Sequence, residues 1–157
     1  MDVTIRSLVQ NDAKISYLWR CDPEIWKYTG FKPMRPITYE IEKEWIKKVL
    51  KRKDEIRFAI CVGNKNEYVG NVQLTNITET CAQFHIFVGK KELHNKGIGA
   101  KATNLILNYS KKILKLKMVY LFVNKNNIAA IKSYKKCGFC EIEKYRKQLK
   151  LYKKLNK

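Results

Sequence analysis

Several absences narrow what this sequence can encode. No run of about eighteen apolar residues occurs, so we predict no membrane-spanning helix. The first residues alternate like a strand and lack the apolar core of a signal peptide, so we expect a cytoplasmic protein. Only three prolines and seven glycines occur, with no repeat or low-complexity linker, so residues 1–157 are expected to form a single domain.

Cysteine usage gives no sign of disulfides or a metal site. The five cysteines are odd in number and most lie in apolar runs, which favours reduced, buried thiols over a disulfide framework. Cys137 and Cys140 have a C-x-x-C spacing, but no second pair and no nearby histidine completes a zinc site. We therefore expect no metal and interpret these two cysteines as core thiols on either side of a turn.

Acidic residues are scarce, with 14 against 33 lysines and arginines, and the formal net charge is +19. A field of that size favours anionic partners. Most of the basic residues are lysine, and asparagine and isoleucine are also abundant, as an AT-rich genome would produce. The charge therefore fits a phosphate-bearing ligand without identifying one, and nucleic acid stays open as an alternative ligand class.

The sequence does contain an alternation of strand and helix patterns. Strands are predicted at residues 3–8, 57–62, 68–76, 80–88, 118–123, 139–145 and 149–155. Helices are predicted at residues 12–19, from residue 22, at 38–51, from the glycines at 97–99 to 112, and at 127–136. The strand–helix–strand unit over 80–123 needs parallel neighbours, and the apolar 118–123 strand is typical of one covered on both faces. We predict an α/β (α+β) fold with a mixed, mostly antiparallel sheet, one parallel pair and helices on both faces.

A glycine loop between the 80–88 strand and the next helix is the first candidate site. Residues 94–99 read HNKGIG. Amides at a helix start favour an anion, and glycines let that backbone approach a pyrophosphate closely. A glycine-rich turn without a ligand is the structural alternative. The G-x-G-x-x-A spacing is not a dinucleotide fingerprint, because the strand ends several residues upstream and no acidic residue follows at the required distance.

The second candidate site lies on the 127–136 helix. Asn127, Ala130, Ile131 and Tyr134 are spaced so that they share one helix face. This places two hydrogen-bonding groups on an otherwise apolar surface beside the 118–123 strand, where a phenol could protonate a leaving thiolate. The alternative is that Asn127 only caps the helix and Tyr134 packs in the core.

In this order, the two motifs resemble those of the GCN5-related N-acetyltransferase (GNAT) superfamily. Its first motif is Gln/Arg-x-x-Gly-x-Gly/Ala at a helix start, matched here by both glycines, with His94 in place of glutamine or arginine. Its second is N-x-x-A-x-x-x-Y-x-x-x-G-F, matched from Asn127 to Phe139. The resemblance spans residues 75–142 and points to the branch of ribosomal-protein N-terminal and amino-sugar N-acetyltransferases.

The resemblance implies acetyl-CoA as co-substrate and indicates where it lies. The 80–88 strand is expected to bulge and to splay from the 118–123 strand, so that the pantetheine arm lies in the gap. Tyr134 is the implied general acid toward the departing thiolate. The implied cofactor-binding residues are Ile86, Phe87, Val88, Asn95, Lys96, Gly97, Ile98, Gly99, Ala100 and Asn127.

The resemblance leaves the catalytic base open. Many relatives carry a glutamate on this strand where Gln83 stands here, and a glutamine cannot take a proton. His85 lies two residues further on the same face, with an ordinary pKa near about 6.5, so it is our candidate base. Glu79 is a further choice. One alternative is that His85 only packs in the strand. The other is that an amine held close to the acetyl group needs no protein base, because proximity and electrostatics supply the rate.

We expect the first helices to form the acceptor pocket. Residues 18–25 resemble the W-R-N-x-P-x-I segment of relatives that acetylate amino sugars on nucleotide carriers. Aromatic rings there can stack on a sugar or a base and an arginine can meet a phosphate, unless the rings belong to the core. The candidate acceptor-binding residues are Trp19, Arg20, Tyr28 and Gln83, with Trp26, Phe31 and Arg35 nearby.

The sequence therefore predicts an N-acetyltransferase that moves acetyl directly from acetyl-CoA to a primary amine of a small molecule, such as a nucleotide-linked amino sugar. The alternatives are an enzyme acting on protein N-termini and an inert domain that binds coenzyme A or nucleic acid. An enclosed aromatic pocket favours the small molecule. The expected partners are acetyl-CoA and an amine, with no metal, membrane or nucleic acid, and the expected state is a monomer or homodimer.

Overall fold

The computed structural model describes residues 1–29 and 33–155, and its strands form one mixed sheet. The strands are β1 (Val3–Ser7), β2 (Ile56–Val62), β3 (Glu67–Thr75), β4 (Cys81–Val88), β5 (Met118–Asn124), β6 (Cys140–Lys144) and β7 (Gln148–Lys154). Their order is β1-β2-β3-β4-β5-β7-β6, and every neighbouring pair is antiparallel except β4 and β5. The predicted mixed, mostly antiparallel sheet is confirmed.

Helices cover both faces of the sheet, as predicted. They are α1 (Ala13–Arg20), α2 (Tyr39–Val49), α3 (Ile98–Lys112) and α4 (Ile128–Lys136). On one face, α3 and α4 bury side chains such as Ile106 against Ile60 of β2. On the other, α1 and α2 bury side chains such as Ile46 against Ala59. Because successive strand residues point to opposite faces, β2 serves both layers, and each fully buried isoleucine stabilises the fold by roughly 1.5–3 kcal/mol.

Two local predictions near the N-terminus are wrong. Asp22 does not start a helix: residues 23–29 lie in turns, and Asp22 Oδ1 accepts a hydrogen bond from the Glu24 N–H at 3.0 Å. A side chain that bonds its neighbouring backbone competes with helical hydrogen bonds. The Asp12 side chain does not cap α1. Its carboxylate instead accepts two hydrogen bonds from Arg6, at 2.9 and 2.8 Å, which raises the pKa of Arg6.

The parallel strands β4 and β5 pair over a short stretch only. Their paired residues run from Cys81 and Met118 to Gln83 and Tyr120. Beyond that point β4 pairs with β3 alone, so one edge of β4 has no strand partner as far as Val88. The strands therefore splay as expected. The expected bulge in β4 is wrong, because its register with β3 is continuous from Gln83 to Val88.

The prediction that β5 is covered on both faces is also wrong. Leu121 and Val123 are buried, whereas Phe122 is 38 % exposed. On that outer face the Lys150 ammonium lies over the rings of Tyr120 and Phe122. Large aromatic residues made an exposed face look like a buried one in the sequence, because apolar composition alone does not distinguish the two.

The cysteines are free thiols. Cys61 and Cys137 are buried but Cys140 is exposed, so the interpretation of the C-x-x-C pair as two core thiols is right for Cys137 and wrong for Cys140. Across residues 1–29 and 33–155, no three His, Cys, Asp or Glu side chains gather as metal ligands would. In the same part of the chain, no helix is both long and apolar enough to cross a bilayer.

Candidate functional site

The glycine loop forms the start of α3. Gly97 immediately precedes the helix in the left-handed conformation, with φ of +80°, which favours glycine. A Cβ added at Gly99 would meet no other atom within 4 Å, so packing inside the protein does not require a glycine there. Both glycines face an open cavity. The first α3 amides have no partners within the helix and attract anions.

This cavity, which we call the glycine-loop cavity, has a volume of about 1120 Å³. The end of β4, the start of α3 and the start of α4 surround it. Lys96, a predicted cofactor-binding residue, does not line it, whereas the others do. Those lining residues are Ile86, Phe87, Val88, Asn95, Gly97, Ile98, Gly99, Ala100 and Asn127.

Polar side chains hold the rim of the glycine-loop cavity. His94 Nε2 donates to the Val88 carbonyl oxygen at 2.8 Å and so ties the loop to β4. Lys91 pairs with Asp22 at 2.9 Å and with Glu24 at 3.3 Å. On the α4 side, Asn127 Oδ1 accepts the Ala130 N–H at 3.3 Å. Asn127 therefore caps α4 and lines the cavity at the same time.

A second cavity, of about 670 Å³, extends from the α1–α2 face of the sheet to the gap between β4 and β5, and we call it the aromatic cavity. Polar side chains from three neighbouring strands form its floor: Arg57 faces Gln73 across β2 and β3, and Gln73 faces His85 across β3 and β4. Aromatic rings contribute much of its wall. These rings belong to Trp26, Tyr28, Trp45, Phe84, Phe87 and Phe122.

A buried ion pair holds α1 against α2 above this floor. Glu42 is 2 % exposed and accepts hydrogen bonds from Ser16 Oγ at 2.9 Å and Arg20 Nε at 3.1 Å. The ring of Trp45 carries two guanidinium groups, with Arg20 at 4.2 Å and Arg57 at 5.0 Å from its centroid. Such cation–π contacts position the indole as part of the wall.

The predicted acceptor-binding residues Arg20, Tyr28 and Gln83 line the aromatic cavity, whereas Trp19 does not. Trp19 is 8 % exposed and packs on Tyr68 and Phe87, with ring centroids 4.9 and 5.9 Å apart. Trp19 therefore lies outside the cavity lining and its ring supports Phe87 from behind, while its contact with the acceptor stays a prediction. Of the other acceptor candidates, Trp26 lines the cavity, Arg35 is exposed outside it, and Phe31 lies outside the described residues. Glu79, the further choice of base, is also exposed outside the cavity.

His85 is partly buried in the cavity floor. Its Nε2 lies 3.0 Å from Thr75 Oγ1, and no group in the described part of the chain bonds its Nδ1. Burial first, and then the positive charge of Arg57, hold the pKa of His85 below its usual 6.5, partly offset by Glu55. The imidazole is therefore neutral at neutral pH, with one nitrogen able to take a proton.

Tyr134 lies where the two cavities meet, because it lines both of them. Its ring packs edge-on against Phe84, with centroids 5.8 Å apart, inside the larger apolar cluster. Burial raises the pKa of Tyr134 to about 12, and Cys137 acts in the same direction. The phenol therefore keeps its proton, and no residue within 1–29 or 33–155 hydrogen-bonds its hydroxyl group.

Several residues that line the aromatic cavity were not predicted from the sequence, among them Glu42, Trp45, Arg57 and Gln73. One signal was present in β3, where three polar residues alternate with valine and leucine over residues 71–75. That alternation is typical of a strand with one solvent-exposed face. Here α1 and α2 cover that face, and polar residues on a covered face indicate a binding surface.

Comparison with known proteins identifies relatives for nearly the whole chain. A family model described as "Acetyltransferase (GNAT) domain" matches residues 2–140. Over 141 residues the chain is 29 % identical to spermidine N(1)-acetyltransferase of Vibrio cholerae, covering 88 % of this chain and 79 % of the relative. It is 26 % identical over 152 residues to uncharacterized protein MJ1062 of Methanocaldococcus jannaschii, covering 96 % of this chain. The chain spans only 30 % of the length of MJ1062.

The fold has a close counterpart among solved structures. The crystal structure of spermidine N-acetyltransferase from Vibrio cholerae in complex with CoA and spermine superposes with a TM-score of 0.86 at 25 % sequence identity. The match covers 98 % of this chain and 95 % of that chain. The shared architecture therefore extends over nearly the whole length of both chains.

Gly99→Val should abolish acetyl-CoA binding and leave the fold intact. A branched side chain at position 99 enters the open cavity and blocks the approach of a pyrophosphate to the backbone. A substitution at Gly97 would be a poorer test, because its φ of +80° would also strain the backbone. We expect calorimetry to show a Kd raised at least about a hundredfold, and less than about tenfold for the matched control Gly99→Ala. Wild-type affinity in Gly99→Val, with an unchanged circular dichroism spectrum, would place the phosphates elsewhere.

Proposed function

The chain belongs to the GNAT family of acetyltransferases, and from that membership we propose that it moves the acetyl group of acetyl-CoA directly to a primary amine of a small molecule. The observation that carries the proposal is the meeting of two different cavities at Tyr134. One cavity offers a helix start and a free strand edge, and the other offers rings and polar groups. A donor and an acceptor entering from the two cavities would meet where β4 and β5 separate.

Acetyl-CoA suits the glycine-loop cavity on chemical grounds. Amides of residues 95–100 would hold the pyrophosphate at the α3 start, where the helix dipole favours negative charge. Backbone groups of residues 86–88, on the edge of β4 that β5 leaves free, can hydrogen-bond the amides of the pantetheine arm as a strand would. The Vibrio cholerae relative was solved in complex with CoA, which supports coenzyme A as a ligand of this fold.

Tyr134 is the proposed general acid. The amine nitrogen attacks the acetyl carbonyl carbon, the C–N bond forms, and collapse of the intermediate breaks the C–S bond. The departing thiolate takes the proton of the Tyr134 hydroxyl. Burial raises the pKa of Tyr134 to about 12, so the phenol keeps its proton until a thiolate forms beside it.

His85 is the proposed base. The proton released by the attacking amine passes to its free Nδ1, directly or through one water. Gln83 lies beside it in the floor and cannot take a proton, and its Oε1 accepts a hydrogen bond from Asn76 at 3.0 Å. The proton gained by His85 and the proton lost by Tyr134 are both exchanged with solvent after the product leaves, so the cycle balances.

We propose an acceptor with a neutral or anionic body, such as a nucleotide-linked amino sugar. The aromatic wall suits stacking on a sugar or a base, and its ring-lined shape favours a small molecule over a peptide N-terminus. Arg20 and Arg57 line the cavity, while Glu42, the one carboxylate among its described lining residues, is already paired with Arg20. A polycation would therefore find no unpaired carboxylate among the described lining residues of this cavity. The spermidine acetyltransferase relatives support a polyamine as the second candidate.

A panel of amines tests the proposed function. Coenzyme A release would be measured in separate reactions with a nucleoside-diphosphate amino sugar, glucosamine, spermidine and a peptide with a free N-terminus. We expect kcat/KM for the nucleotide-linked sugar to exceed that for spermidine at least about tenfold. The reverse order would make the polyamine the acceptor. Release with no amine, although acetyl-CoA binds, would indicate an inert domain.

Tyr134→Phe should keep the affinity for acetyl-CoA and lower kcat by about ten- to a thousandfold, because only the proton donor is lost. Single-turnover kinetics would show whether chemistry limits the rate. Tyr152→Phe, on β7 and outside the lining of both cavities, is the matched control. If the rate of the chemical step is unchanged in Tyr134→Phe, this tyrosine has a packing role only.

The pH profile tests His85. A base must be unprotonated, so kcat/KM should rise with pH through the pKa of His85 and level off above it. Since burial and Arg57 hold that pKa below 6.5, the limb should lie below pH 6.5. His85→Gln should remove this limb and slow the reaction, while ionisation of the acceptor amine gives a separate limb at higher pH. A wild-type profile in His85→Gln would mean that no base acts from this strand.

A further inference from the structure

One oxygen in the floor of the aromatic cavity lacks a hydrogen bond. Among the described residues, Gln73 Oε1 is the one buried side-chain nitrogen or oxygen without a partner. Folded proteins pair nearly all such groups, and an exception at the lining of a cavity indicates a missing ligand or water.

The neighbours of Gln73 direct their donors elsewhere. Arg57, its register partner on β2, donates Nε and Nη2 to Glu55 Oε2 at 3.1 and 2.8 Å. His85, its partner on β4, has Nε2 engaged with Thr75. The Gln73 oxygen is therefore an acceptor between two side chains that hydrogen-bond other groups, and a ligand in the cavity can supply its donor.

We infer that Gln73 Oε1 receives an N–H of the acceptor amine and orients that amine for attack. The inference rests on the proposed function and specifies its substrate class. A neutral primary amine has two N–H bonds and one lone pair. With one N–H on Gln73 and the other on His85 Nδ1, the lone pair is left for the acetyl carbon. A secondary amine cannot satisfy both groups, so this floor selects primary amines.

An amide oxygen suits this position better than a carboxylate would. A negative charge beside the amine would stabilise the ammonium form, which has no lone pair and cannot attack. The neutral amide accepts the hydrogen bond without raising the pKa of the amine. Gln73 is thus a substrate-positioning residue that neither gives nor takes a proton.

Gln73→Met tests the inference, because methionine has similar volume and no strong acceptor. With the nucleoside-diphosphate amino sugar as acceptor, or spermidine if the panel ranks it higher, we expect its KM to rise about ten- to a hundredfold. The KM for acetyl-CoA should change less than about twofold, since Gln73 lies outside the glycine-loop cavity. The Tm should stay level or rise, because an unpaired buried group is removed.

Gln10→Met is the matched control: Gln10 lines neither cavity and donates to the Lys43 carbonyl, so neither KM should change. Gln73→Glu keeps an acceptor, and its carboxylate beside His85 should move the acid limb of the pH profile to higher pH.

A lower Tm of Gln73→Met with an unchanged acceptor KM would assign a structural role to Gln73 and overturn the inference. An unchanged KM and Tm would overturn it too. If the wild-type protein acetylates none of the amines, the proposed function and this inference are overturned together. If the wild type is active and Gln73→Met has the same acceptor KM, the inference alone is overturned.

Discussion

The early end of the β4–β5 pairing is the constraint on which the functional surface depends. Neighbouring parallel strands usually continue their evenly spaced hydrogen bonds, but here the pairing stops at Gln83 and Tyr120. The gap beyond that point brings the two cavities together and leaves Tyr134 in the wall between them. Full pairing of β5 with β4 would close the gap and leave two separate pockets whose contents could not meet.

The aromatic cavity depends on a buried charge as much as on packing. Glu42 is held by Ser16 and Arg20, and removing one partner of such a buried pair costs about 3–5 kcal/mol because it leaves a charge uncompensated. This interaction fixes α1 against α2 and, through Arg20, the ring of Trp45. The aromatic wall is therefore set by electrostatics, which gives it a defined shape before any acceptor binds.

The parts of the site that could be predicted from the sequence are local, and those that could not are assembled from distant strands. The glycines at the start of α3 and the spacing from Asn127 to Tyr134 are each contained in one short segment, so pattern and chemistry suffice. The row of Arg57, Gln73 and His85 exists only because β2, β3 and β4 are neighbours in one register. Trp19 lies outside the cavity lining for a related reason: burial is decided by what packs around a ring, and the sequence does not specify that.

The two cavities draw only part of their lining from different stretches of the chain. Arg20, Trp45 and Arg57 line only the aromatic cavity and precede β3. Gly97, Gly99 and Thr103 line only the glycine-loop cavity and follow β4. Substitutions in well-separated groups of residues act nearly independently. Duplicated genes of this kind could therefore diverge in one cavity and stay alike in the other.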